Sequence, residues 1–339
     1  MATKKHVRHP GFLSALSPLL FVVIPTLLIL VIVDTIDTSS VLSNTLQDFI
    51  TLSLSIFVEA FPFIVLGSLL AGIVNTYVPP HAFEKFLPKK GISRRAVLSL
   101  LGFLFPVCEC GNVPVSRALM IQGLKPSEAV TFLLAAPVLN PVTIWSTWVA
   151  FSYDQSIVIS RIAATFVIAN IIGYVISLKK REKDFLTDDF KAVCDARQES
   201  SETGASNKTS KLAQSFTHEA FIMVKMLAFG AVIAGSIQTF VPRDFLVSIG
   251  SNVVLSILAM LILAFVVSIC ANVDAFFALS FAGTFTAGSI VSFLVFGPMI
   301  DIKMLALLKT TFKNNLLIII SVLSLLLSAL AGLVVSYAF

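Results

Sequence analysis

Apolar runs as long as a lipid bilayer is thick recur along this chain and restrict its fold more than any other feature. The run over residues 314–337 contains no Asp, Glu, Lys or Arg, and it exceeds the roughly 20 apolar residues that a helix needs to cross the hydrocarbon core. Of the 339 residues, 57% are hydrophobic and 13% charged, which is more apolar surface than the core of a water-soluble domain holds. The sequence therefore predicts an all-α polytopic membrane protein with about seven full spans, at residues 11–33, 51–78, 127–150, 157–178, 217–241, 288–308 and 314–337.

Composition and charge exclude several other classes of protein. The four cysteines are too few for the disulfide framework of a small secreted domain, and the net charge of +5 is not gathered into a stripe that would bind nucleic acid. The sequence contains no G-x-x-x-x-G-K-[ST] motif, so this chain carries no P-loop ATP motor. We therefore predict that the protein is not an enzyme, needs no cofactor and binds no nucleic acid, and that its first partner is the lipid bilayer.

The first apolar run, residues 11–33, follows Lys4, Lys5 and Arg8. It is longer than the apolar core of a cleaved signal peptide and lacks a small-x-small exit site, so we interpret it as an uncleaved span. Short basic segments stay on the cytoplasmic side. The chain is thus predicted to be a multi-pass protein of the cell membrane with a cytoplasmic N-terminus.

Two apolar stretches are interrupted by polar residues and do not fit a continuous span. Residues 96–121 contain Pro106-Val-Cys-Glu-Cys-Gly-Asn-Val-Pro114, and residues 251–283 contain Cys270-Ala-Asn-Val-Asp274. Proline removes a backbone donor and clashes with the preceding turn, and Cys-Glu-Cys-Gly-Asn is a polar insertion in what would be hydrocarbon. Each stretch is predicted to be a re-entrant hairpin, in which two half-helices meet at an unwound elbow near the middle of the membrane.

The distribution of basic residues favours re-entry over full crossings. The segment 179–215 carries eight Lys or Arg, and it would lie outside the cell if residues 96–121 crossed fully, against the positive-inside rule. With re-entry it is cytoplasmic, and the outer loops 34–50, 150–157 and 283–287 contain no Lys or Arg. The basic residues of this segment are mixed with seven acidic ones, so it is predicted to be a disordered cytoplasmic linker.

The parts of the chain on either side of this linker resemble each other. Residues 67–79 and 230–242 are identical at six of thirteen positions. Two further pairs of blocks follow in the same order and nearly the same register, 110–114 with 270–274 and 132–140 with 293–301. Because each half has three full spans and one hairpin, a duplicated unit must be inserted in opposite orientations, which gives inverted repeats. The predicted division is an N-terminal span and outer loop at 1–50, a first membrane repeat at 51–178, the linker at 179–215 and a second repeat at 216–339.

The candidate binding residues lie at the two elbows. Side chains two residues apart diverge by about 200° on a regular helix, but in an extended turn Cys108 and Cys110 point to the same side. Two thiolates beside a carboxylate suit As(III), Sb(III), Cu(I), Zn(II) or a similar thiophile, and the candidate metal ligands are Cys108, Cys110 and Cys270. The alternative is that these cysteines pack as small hydrophobic residues. The full set of candidate substrate-binding residues is Cys108, Glu109, Cys110, Asn112, Asn140, Cys270, Asn272, Asp274 and Asp301.

Four carboxylates, those of Glu59, Glu109, Asp274 and Asp301, are predicted at membrane depth. An ionised carboxylate there costs roughly 2.5–3.5 kcal/mol on an insertion scale, so each needs a partner or a wet cavity. One interpretation is structural pairing with a cation. The other follows from the inverted repeats, which are typical of secondary transporters: one or more carboxylates would bind and release protons during transport. The available cations are Arg117, Lys225 and Lys303.

Prolines within other predicted spans indicate further helix breaks. Pro137, Pro141 and Pro298 are predicted to interrupt their helices and to free backbone carbonyls that a polar solute or an ion could use. Asn140 stands at the position that matches Asp301 in the other half, so the two halves are predicted to be chemically unequal.

Three strings of this sequence resemble the signature blocks of one family of bacterial permeases. They are Phe105-Pro-Val-Cys-Glu-Cys-Gly-Asn-Val-Pro114, Leu133-Leu-Ala-Ala-Pro-Val-Leu-Asn-Pro141 and Phe293-Leu-Val-Phe-Gly-Pro-Met-Ile-Asp301. From about residue 50 to the C-terminus, the chain resembles the ArsP-type, YraQ-like predicted permease family. The resemblance implies an inner-membrane permease, and some members of this family export trivalent organoarsenicals. By this analogy, Cys108 and Cys110 would be the thiols that bind the arsenical.

These observations favour a secondary permease, predicted to be an exporter, for a small inorganic or organometalloid solute that binds thiols. The solute would be held where the two hairpins meet. One alternative is a divalent-metal (zinc) permease subunit that works with a partner protein. Another alternative, from a different class, is a membrane thiol oxidoreductase that uses Cys108 and Cys110 as a redox pair, although only Cys270 is available in the membrane to pass electrons on.

Overall fold

A computed structural model of the protein describes residues 41–78, 87–88, 91–103, 107–151, 155–179, 181–199, 208–240 and 253–338. These residues form helices and connecting turns without a β-strand, and the predicted all-α class is confirmed. The predicted first span at 11–33 and the N-terminus lie outside the described residues.

Thirteen α-helices follow one another along the described chain. They are α1 (Val41–Tyr77), α2 (Gly91–Leu100), α3 (Glu109–Ile121), α4 (Pro126–Ala135), α5 (Pro141–Ala150), α6 (Gln155–Ser177), α7 (Asp188–Glu199), α8 (Lys208–Phe240), α9 (Val253–Val267), α10 (Asp274–Leu279), α11 (Ala287–Met299), α12 (Ile302–Leu308) and α13 (Asn314–Ala338). Short 3-10 turns lie at Leu101–Phe103 and Glu182–Phe185.

Five segments of the described chain are long and apolar enough to cross a membrane: Thr45–Tyr77, Gln155–Ser177, Lys211–Thr239, Ala287–Leu308 and Asn314–Ala338. They match five of the predicted spans, which are 51–78, 157–178, 217–241, 288–308 and 314–337. The span predicted at 127–150 is instead a pair of ten-residue helices, α4 and α5. The structure thus confirms a multi-span helical protein, with one predicted span divided in two.

The break between α4 and α5 contains Pro137 and ends at Pro141, whereas Pro298 lies inside α11 and the break before α12 follows it by two residues. Both breaks have matching caps. Helix α5 begins at Pro141, and the side chain of Asn140 accepts a hydrogen bond of 2.9 Å from the backbone N–H of Val142. Helix α12 begins after Asp301, whose Oδ1 accepts from the backbone N–H of Met304 at 2.6 Å. A side-chain acceptor at this position satisfies one of the free N–H groups of the new helix. The polar residues at the breaks therefore restart the helices within an apolar environment.

The two longest helices, α1 and α8, pack against each other in opposite directions. Ser53, near the start of α1, lies against Gly235 near the end of α8, where any side chain larger than hydrogen would clash. At the other end, Asn75 Nδ2 donates to Ser215 Oγ at 3.2 Å. The pair forms a central antiparallel contact between the two halves of the chain.

Helix α7 marks one end of the molecule. Arg117 near the end of α3 stacks on Phe190 of α7, with 4.3 Å between the guanidinium carbon and the ring centre. At the start of α4, the backbone N–H of Ser127 donates to Glu182 at 2.9 Å, in the 3-10 turn that precedes α7. Lys313, just before α13, contacts Asp188 at 2.8 Å. The end of α3 and the starts of α4 and α13 therefore meet at this end.

The sequence predicts disorder for residues 179–215, and the structure differs over residues 182–199. The apolar side chains of Leu186, Phe190 and Cys194 are buried, and their spacing of four residues places them on one side of the chain as it enters and forms α7. The backbone adds a hydrogen bond of 2.8 Å from the N–H of Lys313 to the carbonyl of Phe185. The prediction of disorder rested on the mixed charges of this segment and did not consider its narrow apolar stripe. In the structure, the stripe and these polar contacts dock the segment.

Candidate functional site

The first elbow precedes α3 and is built around Cys108. Its backbone is extended (φ −70°, ψ 175°), and α3 begins at the next residue, Glu109. The helix can approach its neighbour closely because Gly111 lies against the backbone of Phe63 in α1, where a Cβ would clash. The side chains of Cys108, Glu109 and Cys110 are all buried. The extended turn therefore presents a carboxylate and two thiols at the start of α3.

The second elbow joins α9 to α10. Ser268 has a left-handed backbone (φ 51°), a conformation that L side chains adopt at a cost, and Cys270 and Asp274 follow it. Cys110, the third predicted thiol ligand, lies in the first turn of α3 and is also buried. The sulfur atoms of Cys108 and Cys270 and one carboxylate oxygen of Glu109 lie within 4.8 Å of one another. Two thiols and one carboxylate, contributed by both halves of the chain, thus converge on one buried point.

Lys303 connects this point to the break before α12. Its Nζ lies 3.0 Å from Glu109 Oε1 and 3.4 Å from Asp301 Oδ2, and it donates to the carbonyl oxygen of Ser268 at 2.6 Å. Lys303 and both carboxylates are buried. Neither of the two facing carboxylate oxygens accepts an aligned hydrogen bond. Two carboxylates therefore share one ammonium and keep unused acceptor capacity.

Asp274 forms a separate buried ion pair. Arg161 of α6 binds it through two nitrogens, at 3.0 and 2.6 Å, and also donates to Thr147 Oγ1 at 2.7 Å. The predicted cation partners did not include Arg161, although a single arginine within the apolar run of α6 was the available signal. Both oxygens of this carboxylate are engaged, so Asp274 joins α6 to α10 through Arg161, and its role in binding a solute stays a prediction.

The three candidate asparagines form hydrogen bonds with protein groups in or near the elbows. Asn112 and Asn140 both donate through Nδ2 to the carbonyl of Val107, at 3.3 and 3.4 Å. Asn272 accepts a bond of 2.9 Å from Thr143 Oγ1 in α5. These residues therefore lie near the thiols in the fold but bind protein groups. Asn112 Oδ1 has no hydrogen-bond partner in the described structure.

The remaining predicted charges have different surroundings. Structural pairing is found for Glu109 and Asp301 with Lys303, whereas Arg117 pairs with Glu219, an acidic residue that the sequence reasoning did not consider. Lys225 is exposed and lies over the ring of Phe221 at 4.2 Å. Glu59 is half-buried within α1. Of the four predicted membrane carboxylates, two belong to the Lys303 network.

Comparison with known proteins gives the family. A model of the ArsP-type family, described as "predicted permease", matches residues 45–337. The UPF0718 protein YcgR of Bacillus subtilis is 37% identical over 265 residues, which cover 77% of this chain and 88% of that protein. A Streptococcus mutans protein named "putative two-component membrane permease complex subunit" is 34% identical over 269 residues, covering 78% and 87%.

A UPF0718 protein of Methanocaldococcus jannaschii is 24% identical over 115 residues, which cover 34% of this chain and 31% of that protein. No solved structure is significantly similar to the chain. The family match covers the described helices of both halves, including the two elbows, and it confirms the resemblance seen in the sequence blocks. The chain therefore belongs to the ArsP-type predicted permease family.

Proposed function

We propose that this protein is a secondary permease that exports a soft, thiol-binding solute, such as a trivalent metalloid or organoarsenical. The observation that carries the proposal is the convergence of Cys108, Glu109 and Cys270, whose ligand atoms lie within 4.8 Å of one another. Cysteine sulfur is the preferred ligand of soft ions. Because the three residues come from two elbows, a relative movement of the two halves would change the site.

The architecture behind this proposal is two inverted repeats, each with a re-entrant hairpin, and about seven full spans in all. Three observations support it. Helices α1–α6 and α8–α13 repeat one order of long and broken helices. The matching helices α1 and α8 are antiparallel. Within the first hairpin, Arg94 at the start of α2 pairs with Glu128 at the start of α4 at 3.0 Å, so the chain returns to its starting end.

We further propose a cell-membrane location in which the α7 end faces the cytoplasm and the N-terminus lies on the same side. The residues between α6 and α8 carry six Lys or Arg, and short basic connections are retained in the cytoplasm. Basic residues at the starts of α2 and α13 also lie at this end.

Binding would deprotonate the thiols. Each cysteine that bonds to the solute exchanges its S–H bond for a bond to the metal or metalloid, and the proton leaves to solvent or to the solute's leaving hydroxide. Glu109 would then turn from Lys303 to the bound cation. Asp301 lies 3.4 Å from the Lys303 ammonium and remains to neutralise it. Lys303 would thus balance Glu109 in the empty carrier and Asp301 in the loaded one.

Transport would follow from rocking one half against the other around this site, as in other carriers with broken helices. The thiols are buried in the structure, so the described state is closed around them. Opening toward either face requires the contacts between the elbows and the opposite half, such as Thr143 with Asn272, to separate.

The test is resistance to trivalent arsenic, and export of it, in a bacterial host that lacks its own exporters. Wild-type protein should confer resistance to arsenite or to a trivalent methylarsenical, and the double variant Cys108→Ser, Cys110→Ser and the single variant Cys270→Ser should abolish it. Cys194→Ser is the matched control, because Cys194 is also buried but lies on α7. Full transport by the double variant would exclude a thiol site.

A second candidate function is a zinc permease subunit that works with a partner protein. Two thiolates and one carboxylate also suit zinc, and the Streptococcus mutans relative is named as a subunit of a two-component complex. Measuring the zinc and arsenic content of a deletion strain separates the two candidates. Altered zinc content with unchanged arsenite resistance, together with a partner that co-purifies with the tagged protein, would favour zinc.

A further inference from the structure

A cavity of about 490 Å³ at the α7 end is separate from the elbows and is lined by an excess of basic side chains. Its charged lining consists of Arg117, Asp189, His218, Lys225 and Lys309. Arg117 is neutralised by Glu219. The rest of this lining has two lysines and a histidine but only one acidic residue, Asp189.

Neither lysine of this cavity forms an ion pair with another residue that the structure describes. The ion pairs between described residues involve other lysines and arginines, and the ammonium of Lys225 lies over the ring of Phe221 at 4.2 Å. Lys225 and Lys309 are both exposed. The cavity therefore has two cations available to an external anion.

The position of Lys225 in the membrane adds a second argument. It lies within the apolar segment Lys211–Thr239 of α8, where an unpaired charge is costly and a counter-ion lowers that cost. Ile222 and Met226, one turn or less away, form an apolar wall of the same cavity. A ligand that combines an anionic head with an apolar chain matches both the charge and the wall.

We propose that this cavity binds the phosphate headgroup of an anionic phospholipid from the leaflet at the α7 end. Basic pockets between membrane helices commonly accept such headgroups. Lys225 and Lys309 contact the phosphate, and the apolar wall carries the first part of an acyl chain. The bound lipid joins α8 to α12, the helix that follows Asp301 and contains Lys303, and so links the lipid composition to the solute site. The lipid site itself does not depend on the proposed solute.

The test is binding of fluorescently labelled phosphatidylglycerol to the full-length protein in detergent, followed by anisotropy, with labelled phosphatidylcholine as the neutral probe. Wild-type protein should bind phosphatidylglycerol at least about tenfold more tightly. The double variant Lys225→Gln, Lys309→Gln should weaken that binding about thirtyfold and leave phosphatidylcholine binding unchanged. Both lysines are exposed, so the double variant is expected to fold.

Lys191→Gln is the matched control, because Lys191 is a cation of α7 that lines the neighbouring cavity. It should change phosphatidylglycerol binding by less than about twofold. Equal affinity of the wild type for both lipids, or an unchanged affinity of the double variant, would overturn the proposal. Displacement of the labelled lipid by millimolar inorganic phosphate would instead assign the site to the free anion and overturn the lipid assignment.

Discussion

Lys303 is the side chain on which carboxylates from both halves of the protein converge. Its ammonium lies 3.0 Å from Glu109 and 3.4 Å from Asp301, and all three groups are buried. Removing one partner of a buried pair leaves an uncompensated charge that costs about 3–5 kcal/mol. In a carrier without Lys303, this cost is greater in the empty state, where Glu109 and Asp301 both lose their cation, than in the loaded state, where Glu109 faces the bound solute and Asp301 alone is unpaired.

Lys303→Gln is therefore expected to separate two modes of transport. Net export of radiolabelled trivalent arsenic or zinc from proteoliposomes should fall at least about tenfold, since the empty carrier must return with unbalanced carboxylates. Exchange of labelled for unlabelled solute, in which only the loaded carrier moves, should fall less than net export, because one carboxylate and not two loses its cation in that state. Lys303→Arg should restore part of the net export. Equal loss of net export and exchange in Lys303→Gln would assign the lysine a merely structural role.

The pair of Arg161 with Asp274 gives a second prediction at this scale. Arg161→Leu alone should destabilise the protein by about 3–5 kcal/mol, because it leaves a buried carboxylate without its cation. The double variant Arg161→Leu, Asp274→Leu should be more stable than this single variant, because no unpaired charge remains. Thermal unfolding in one detergent compares the variants. A double variant less stable than Arg161→Leu would show that the two side chains do not act as a pair.

Residue types were easier to predict than residue partners. The elbow cysteines and Glu109 were found from the sequence because a C-x-C beside prolines has no ordinary role within an apolar stretch. Arg161 was missed because its partner, Asp274, lies 113 positions along the chain and nothing in the local pattern indicates which distant helix supplies a counter-ion. The asparagines were predicted as binding residues, but the structure shows them bonding to protein groups around the elbows.

At the scale of elements, the helices followed from apolar runs, and their breaks followed from proline or, at the second elbow, from polar residues within an apolar stretch. The exception is α7, where the sequence predicts disorder from a mixture of charges. Four apolar side chains of this helix and the turn before it are buried, those of Phe185, Leu186, Phe190 and Cys194, and such a small apolar stripe is hard to distinguish from chance in a charged segment. Its docking depends on the surface that the other helices form, which the segment's own sequence does not describe.

Cys194 makes the docking of α7 measurable. Burial raises the pKa of this thiol to about 11, so little reactive thiolate exists at neutral pH, and its side chain is almost fully covered. A soluble maleimide should therefore label Cys194 at least about tenfold more slowly at neutral pH than it labels Val193→Cys in a Cys194→Ser background. Val193 is the neighbouring residue and is exposed. Equal labelling rates would show that α7 is undocked in the membrane-embedded protein.

At the scale of the whole molecule, the relation between the two halves decides how the site can open. Helix α11 begins beside the far end of α13, since Gly288 lies against Gly332 and Ser336. The near end of α13 instead meets α7 through Lys313. The start of α4, the matching helix of the first half, also meets the α7 end. Matching helices thus start at opposite ends, as an inverted pair requires.

This arrangement predicts that Lys125 and Ala287, which precede or begin the matching helices α4 and α11, lie on opposite sides of the membrane. Both residues are exposed, so Lys125→Cys and Ala287→Cys can be labelled in a Cys194→Ser background in which the other three cysteines are buried. A membrane-impermeant maleimide added to intact cells should label Ala287→Cys and spare Lys125→Cys, and inverted vesicles should give the reverse. Labelling of both from one side would mean that the halves share one orientation. The two elbows would then have no symmetric movement through which to expose their thiols alternately.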